Sequence, residues 1–241
     1  MSMSPSVYPL KLEGELGPQL SRWRWLVKWF LLIPHWIVLF FLWIGVVFST
    51  VIAFFAILFT GRYPRGLFDY SVGVLRWTWR VGFYSYSALG TDRYPAFSLQ
   101  DDAEYPARLE VEYPAGLSRG LVLVKWWLLA LPHYLVVAVF AGVGWSAASS
   151  RTDSIYGLVG GGLIGLLVMF AGVALLFTGR YPDALYSFVM GMNRWVFRVA
   201  AYSLLMTDSY PPFRLDMGGS EPPSDNASCA TSPTPVPVPT G

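Results

Sequence analysis

The seven residues LFTGRYP occupy positions 58–64 and recur without a change at positions 176–182. Further segments match in the same order on both sides of them: YPLKLEGE at 8–15 with YPARLEVE at 105–112, and TDRYPAF at 91–97 with TDSYPPF at 207–213. The matches are offset by 97 residues at 8–15, by 118 at 58–64 and by 116 at 91–97, and such an ordered series is typical of an internal duplication with an insertion in one copy. The chain therefore contains two copies of one unit.

The copies differ mainly in length. Residues 1–99 form the first repeat, 100–104 (QDDAE) an acidic joint, and 105–215 the second repeat. About twenty additional residues enter the second repeat before LFTGRYP. The segment 216–241 is rich in Pro, Ser and Thr and holds few large apolar side chains, so we expect it to be disordered.

The composition indicates a membrane protein. Hydrophobic residues make up 54% of the chain and charged residues only 13%, about half of what a soluble domain usually carries. The run 29–59 holds one ionisable residue, His35, and the run 158–177 holds none. Runs of ~20 apolar residues are long enough to cross the ~30 Å hydrocarbon core of a bilayer. We therefore expect an all-α integral membrane protein.

The sequence predicts the number of membrane crossings more clearly for the second repeat than for the first. In the second repeat, apolar stretches 121–140 and 158–177 flank the polar stretch 142–156, which predicts a transmembrane hairpin. In the first repeat, 23–59 is either a short hairpin, one long tilted helix or a re-entrant loop. Cationic residues stand at both ends of that run, and the positive-inside rule places both ends in the cytoplasm. The hairpin is the favoured prediction.

A third segment of each repeat, 67–89 and 185–206, is helical by pattern and carries arginines on one face. Two arginines at the centre of a span would be costly, so these segments are predicted to be amphipathic helices in the cytoplasmic interface. Their polar face has two readings. It binds an anionic lipid headgroup, for which guanidinium forks are suited, or it docks the helix onto the hairpin through salt bridges or carbonyl contacts. The candidate residues are Asp69, Arg76, Arg80, Arg194 and Arg198.

LFTGRYP itself predicts a turn at the point where a helix leaves the membrane. We expect its glycine to end the helix in the left-handed conformation, its arginine to meet the negative end of the helix dipole, its tyrosine to lie at the headgroup level, and its proline to open the next helix. These residues are Gly61, Arg62, Tyr63 and Pro64, with Gly179, Arg180, Tyr181 and Pro182.

A Pro-His pair lies in each hydrophobic segment, as Pro34–His35 and Pro132–His133. Proline inside a helix removes a backbone donor and produces a kink. The histidine beside it either bonds to the carbonyl that the kink frees or belongs to a proton relay or metal pair. Two histidines without a carboxylate make a poor zinc site, so no metal or cofactor is predicted.

The series LVKW, PH, LFTGRYP, RW and TD-x-YP resembles the DUF4389 family, a bacterial membrane domain of unknown function, present here twice over residues 8–215. The resemblance implies a membrane location and no assigned biochemistry.

Enzyme signatures such as G-x-S-x-G and H-E-x-x-H are absent from the sequence, and the one cysteine, Cys229, lies in the tail. The sequence thus favours a non-enzymatic scaffold or accessory protein that contacts the bilayer, with anionic lipid, a membrane-protein partner or a second copy as its partners and no nucleic acid. A small transporter or channel built from internal repeats is the alternative. We expect a multi-pass protein of the cell membrane with both termini in the cytoplasm.

Overall fold

The computed structural model describes residues 8–17, 20–141 and 162–218. Within these ranges the chain is mostly helical, with one short strand in each repeat. The first repeat contains β1 (Leu10–Gly14), a 3-10 turn (Arg24–Leu26), α1 (Lys28–Leu31), α2 (Ile33–Thr60) and α3 (Arg65–Tyr84). The second contains β2 (Ala107–Val111), α4 (Leu121–Val124), a π-helical turn (Lys125–Leu129), α5 (Leu131–Ala141), α6 (Gly162–Thr178) and α7 (Asp183–Ser203).

From Ile33 to Thr60 the hydrophobic run of the first repeat is one unbroken helix, so the hairpin predicted there is corrected. The 28 residues of α2 are about 42 Å long at ~1.5 Å per residue. Gly45, near its middle, serves a close contact and not a turn, because a Cβ there would lie 2.3 Å from the Tyr70 hydroxyl oxygen. That hydroxyl donates to the carbonyl of Leu42 at 2.8 Å. Among the described residues, α2 is the one helix long and apolar enough to cross a membrane.

In the second repeat, α5 and α6 together replace α2. Residues 131–141 match 33–43, and residues 162–178 match 44–60. Both helices pack against α7, as α2 packs against α3. The connection predicted for a hairpin falls in 142–161, which lies outside the described residues.

The prolines do not kink these helices. Pro34 is in the first turn of α2, and Pro132 is the second residue of α5. Proline is tolerated in the first turn because an amide there has no intrahelical partner to lose. Each proline therefore lies at the start of a helix, and the prediction of a kink at these positions was wrong.

The strands connect the repeats to each other. β1 and β2 pair antiparallel, with Leu12 opposite Leu109 at the centre. These two leucines hold the same position in the two copies, so a local two-fold axis passes between them. Each strand packs on the third helix of the other repeat, β1 on α7 and β2 on α3. The two repeats are thus joined by a reciprocal exchange of strands.

The fold has three layers. The outer helical layer (α2, α5 and α6) contacts α3 and α7, and these two helices in turn contact the strands. The inner side of α2 is buried along a stripe of Leu39, Val46, Ala53 and Ile57. The middle layer holds the aromatic core, in which Trp79 and Phe83 are fully buried. The predicted interfacial helices are therefore interior helices, and the prediction is corrected because their Trp and Tyr side chains pack inward.

Candidate functional site

One arginine of each middle-layer helix, Arg76 in α3 and Arg194 in α7, binds the strand of the other repeat. Arg194 is fully buried and donates from Nε to the carbonyl of Leu12 at 2.8 Å. Its other nitrogens donate to the carbonyls of Asp216 and, at 2.9 Å, of Gly218. The matching residue of the first repeat, Arg76, donates from Nε to the carbonyl of Leu109 at 3.1 Å. The two arginines thus hold the two central leucines of the sheet in the same way.

The second arginine of each helix differs between the repeats. Arg198 forms an ion pair with Asp216 at 2.6 Å, and its carbonyl accepts the Tyr8 hydroxyl at 3.2 Å. Arg80 donates to the carbonyl of Ser98, while its Nε and one terminal nitrogen have no hydrogen-bond partner within the described residues. Burial lowers the pKa of the Arg80 guanidinium.

The structure thus places these arginines against backbone carbonyls and carboxylates of the strands and of the segments that follow α3 and α7, whereas the docking interpretation of the sequence had expected the hairpin as the partner. The acidic partners are Asp101, 3.6 Å from Arg76, and Asp216. Asp69, which the sequence analysis considered as a partner, lies on the exposed part of the first turn of α3.

Each repeat contains a buried lysine near the start of its hydrophobic segment. Lys28 Nζ lies 2.6 Å from the carbonyl oxygen of Thr91, 2.9 Å from Asp92 Oδ1 and 4.5 Å from the centre of the Tyr84 ring. The other carboxylate oxygen of Asp92 accepts the Ser21 amide at 2.6 Å. Burial lowers the pKa of Lys28, and the bond to Asp92 acts in the opposite direction.

The second repeat repeats this arrangement. Lys125 Nζ lies 2.9 Å from Asp208 Oδ1, and it donates to the carbonyl of Thr207 at 2.5 Å. Asp208 in turn accepts the Ser118 amide at 2.6 Å. We call each Lys–Asp pair with its Thr carbonyl a lysine clamp.

The histidines have aromatic partners and not the backbone carbonyl considered above. In the first repeat, the Trp77 indole N–H donates to His35 Nδ1 at 3.1 Å, and Phe97 stacks on the imidazole with ring centres 3.9 Å apart. In the second repeat, Trp195 donates to His133 Nδ1 at 3.2 Å, with Phe213 stacked at 4.3 Å. An Nδ1 that accepts a hydrogen bond belongs to a neutral imidazole with its proton on Nε2. Within the described ranges, no group of three or more His, Cys, Asp or Glu residues is arranged to hold a metal ion.

The LFTGRYP turns end α2 and α6. Gly61 and Gly179 have φ of +73° and +70°, the left-handed conformation expected of them, and Pro64 and Pro182 cap the next helices. Arg62 and Arg180 are exposed, but Tyr63 and Tyr181 are buried. The Tyr181 hydroxyl donates to the carbonyl of Ala88 at 3.0 Å, so this tyrosine ties its turn to the other repeat, while the position of both tyrosines relative to lipid headgroups stays a prediction.

These turns are also where the repeats meet a second time. Arg22 lies against Gly179, where a Cβ would come within 2.5 Å of a guanidinium nitrogen, and its match Arg119 lies against Gly61. Two rims result. The proximal rim, beside the start of α2, contains Arg22, Gly179 and the start of α7; the distal rim, at the end of α2, contains Gly61, Arg119 and the start of α3.

Comparison with protein families matches residues 22–98 and 155–214 to a domain of unknown function, DUF4389. The first matched segment contains the whole first lysine clamp, the Trp77–His35 pair and the first turn. The second contains the second turn, Trp195 and Asp208, whereas Lys125 and His133 precede it. The chain belongs to the DUF4389 family. Neither a search of curated proteins nor a search of solved structures finds a match.

Sequence reasoning missed the lysine clamps of the two DUF4389 repeats. The signal was present, because LVKW and TD occur once in each repeat, and a lysine next to an apolar run needs a carboxylate when it is buried. The exchange of strands had no such signal. Both strands precede the matched family segments, and their pairing depends on how the repeats assemble.

Proposed function

We propose that this chain is a non-enzymatic membrane protein, a scaffold or accessory protein that is embedded through one side of its fold. One observation carries the proposal. The outer side of α2, α5 and α6 exposes large apolar side chains over its whole length, with Phe48 and Phe170 each 66% exposed. An uncovered apolar surface of this extent is typical of a protein or membrane contact.

The opposite side of the molecule is charged. Lys11, Arg108 and Glu110 are exposed on the outer face of the sheet, and the register places Lys11 opposite Glu110 and Glu13 opposite Arg108. Opposite charges on facing strands stabilise the sheet in water, whereas each would be costly at the centre of a bilayer. The strands lie beside the middle of α3 and α7, because Arg76 and Arg194, near the middle of these helices, bind them.

These two sides favour an in-plane arrangement, in which the outer helical layer lies within one leaflet and the sheet faces water. A helix that crossed the bilayer would carry the sheet charges to mid-depth. The cationic residues agree with this arrangement. Arg22 and Arg24 precede α2, Arg62 and Arg65 follow it, and all four are exposed. Since α2 is unbroken, only an in-plane helix places both groups on the cytoplasmic side, where they can meet anionic headgroups.

Carbonate extraction of membranes from cells that express the full chain tests the proposal. Phe41→Asp with Phe48→Asp introduces two charges on the exposed side of α2, where neither side chain supports the core. The double variant is expected to lose most of its membrane retention. Its control is Lys11→Glu with Glu110→Lys, which exchanges two charges on the sheet and is expected to be retained like the wild type. Equal retention of the two double variants contradicts the proposal.

Transport is the second candidate, and a cavity between the repeats favours it, because internal-repeat transporters bind substrates at such a place. A transporter must open to both sides of the membrane, which requires the two rims to lie on opposite sides. The multi-pass arrangement expected from the sequence likewise requires the two rims to lie on opposite sides of the membrane.

A further inference from the structure

The outer helical layer contains a cavity of about 840 Å³ between the repeats. Its walls come from α2 on one side, α5 and α6 on the other, and α3 and α7 beneath. Pockets of roughly 300–1,000 Å³ with mostly apolar walls and a few polar groups are typical of small-molecule sites. Trp29 and Trp36 at its wall are more than half exposed, so the cavity opens toward the apolar side of the molecule.

The cavity straddles the local two-fold axis. Several pairs of matching residues line it from both repeats, among them Trp43 with Ala141, Leu75 with Asn193, and Thr78 with Val196. A smaller cavity of about 450 Å³ lies toward the distal rim, where Val51 and Tyr134 replace Met169 and Trp36. The duplication therefore produced two related cavities, and one of them is now larger and more polar.

The polar groups of the larger cavity lie together. Asn193 donates both amide hydrogens to backbone, to the carbonyl of Ser87 at 2.7 Å and to that of Val189 at 2.9 Å. Asn193 and Ser87 both line the cavity, and the Asn193 side-chain oxygen and the Ser87 hydroxyl have no hydrogen-bond partner within the part of the chain that the structure describes. An acceptor and a hydroxyl at one wall are suited to a ligand that carries hydroxyl groups.

Charge decides the class of ligand. None of the described lining residues is Asp, Glu, Lys, Arg or His. A phosphate or carboxylate would enter this cavity without a counter-charge, at a high desolvation cost. The apolar walls, formed by Ile164, Met169 and the indoles, suit a hydrocarbon chain.

We propose that this cavity binds a single-chain, uncharged amphiphile, with its hydroxyl head at Asn193 and Ser87 and its acyl chain between α2 and α6. The ligand reaches the cavity from the lipid phase, so the inference depends on the membrane location proposed above. The exposed arginines at the rims are suited to anionic headgroups, whereas the cavity is suited to an uncharged lipid.

Photolabelling of the full chain in nanodiscs tests the proposal. The probe is a monoacylglycerol with a diazirine in its acyl chain, and labelled peptides are identified by mass spectrometry. We expect saturable labelling of the segment around Met169. Met169→Trp narrows the cavity and is expected to reduce this labelling at least fivefold. The matched control is Val51→Trp at the equivalent position of the smaller cavity, and it is expected to leave the labelling unchanged.

A competition experiment on the wild type tests the proposal without depending on whether the variants fold. Unlabelled monoacylglycerol is expected to abolish the labelling of the wild type, and phosphatidylglycerol at the same concentration is expected not to. Labelling that does not saturate, or that spreads evenly over the exposed side of α2, means that only surrounding lipid is detected and overturns the inference. Equal competition by phosphatidylglycerol also overturns it. If the wild type remains in carbonate-washed membranes in either case, this inference fails alone; if it is released, the proposed membrane role fails as well.

Discussion

Lys28→Met removes the ammonium from the lysine clamp of the first repeat while keeping most of the volume of the side chain. Among the residues that the structure describes, Asp92 then retains only the Ser21 amide as a partner, although its side chain is just 14% exposed. Removing one partner of a buried ion pair costs about 3–5 kcal/mol. The remaining exposure of Asp92 reduces this, so we expect a loss of about 3 kcal/mol in the free energy of unfolding.

The second repeat provides the matched comparison. The Asp208 side chain is 29% exposed, about twice as much as Asp92. Water can therefore solvate its carboxylate better when Lys125 is lost. Lys125→Met is expected to cost about 2 kcal/mol, less than its counterpart.

Reversible unfolding by SDS in mixed micelles, followed by tryptophan fluorescence, measures both values. A double-mutant cycle with Asp92→Asn isolates the pair, and we expect a coupling energy of about 2 kcal/mol. A coupling energy below about 0.5 kcal/mol, or a larger loss for Lys125→Met than for Lys28→Met, would refute this reasoning.

Three further substitutions test the packing between and within the repeats by the same unfolding assay. Arg194→Leu leaves the carbonyl of Leu12 and two others without their donor and is expected to cost about 3 kcal/mol, with Arg194→Lys recovering only part of it because the guanidinium fork is lost. Gly61→Ala is expected to cost about 1–2 kcal/mol, because its φ of +73° is unfavourable for a residue with a Cβ; an unchanged midpoint would contradict the left-handed turn. Trp77→Phe keeps the ring but leaves His35 Nδ1 buried without its donor, for an expected loss of about 1–2 kcal/mol; an undiminished stability would show that this hydrogen bond is not formed.

The duplicated sequence predicted the parts of the structure that depend on local pattern. Gly61 and Gly179 end their helices in the expected conformation, and Pro64 and Pro182 lie where the next helices begin. These features follow from backbone preferences of a few neighbouring residues, so a single sequence contains them.

The failures concern contacts between distant residues. The sequence of α3 alone predicts that its arginine face is exposed, because nothing near Arg76 or Arg80 indicates that a strand of the other repeat covers it. The hairpin was inferred from charges at both ends of 23–59, on the assumption that the run crosses the membrane. An unbroken α2 that lies in the plane of one leaflet satisfies the same charge rule, and hydropathy alone cannot distinguish these arrangements.

The orientation of α2 is the central claim, and two matching residues can measure it. Gly66 and Ala184 are the second residues of α3 and α7; both are exposed, and they lie at the distal and the proximal rim. Single cysteines at these positions, in a Cys229→Ser chain, are labelled with an impermeant maleimide in sealed right-side-out and inside-out vesicles. The account predicts that both positions label in the same type of vesicle and are protected in the other. Labelling of one position in each type would show that α2 crosses the bilayer and would contradict the in-plane arrangement.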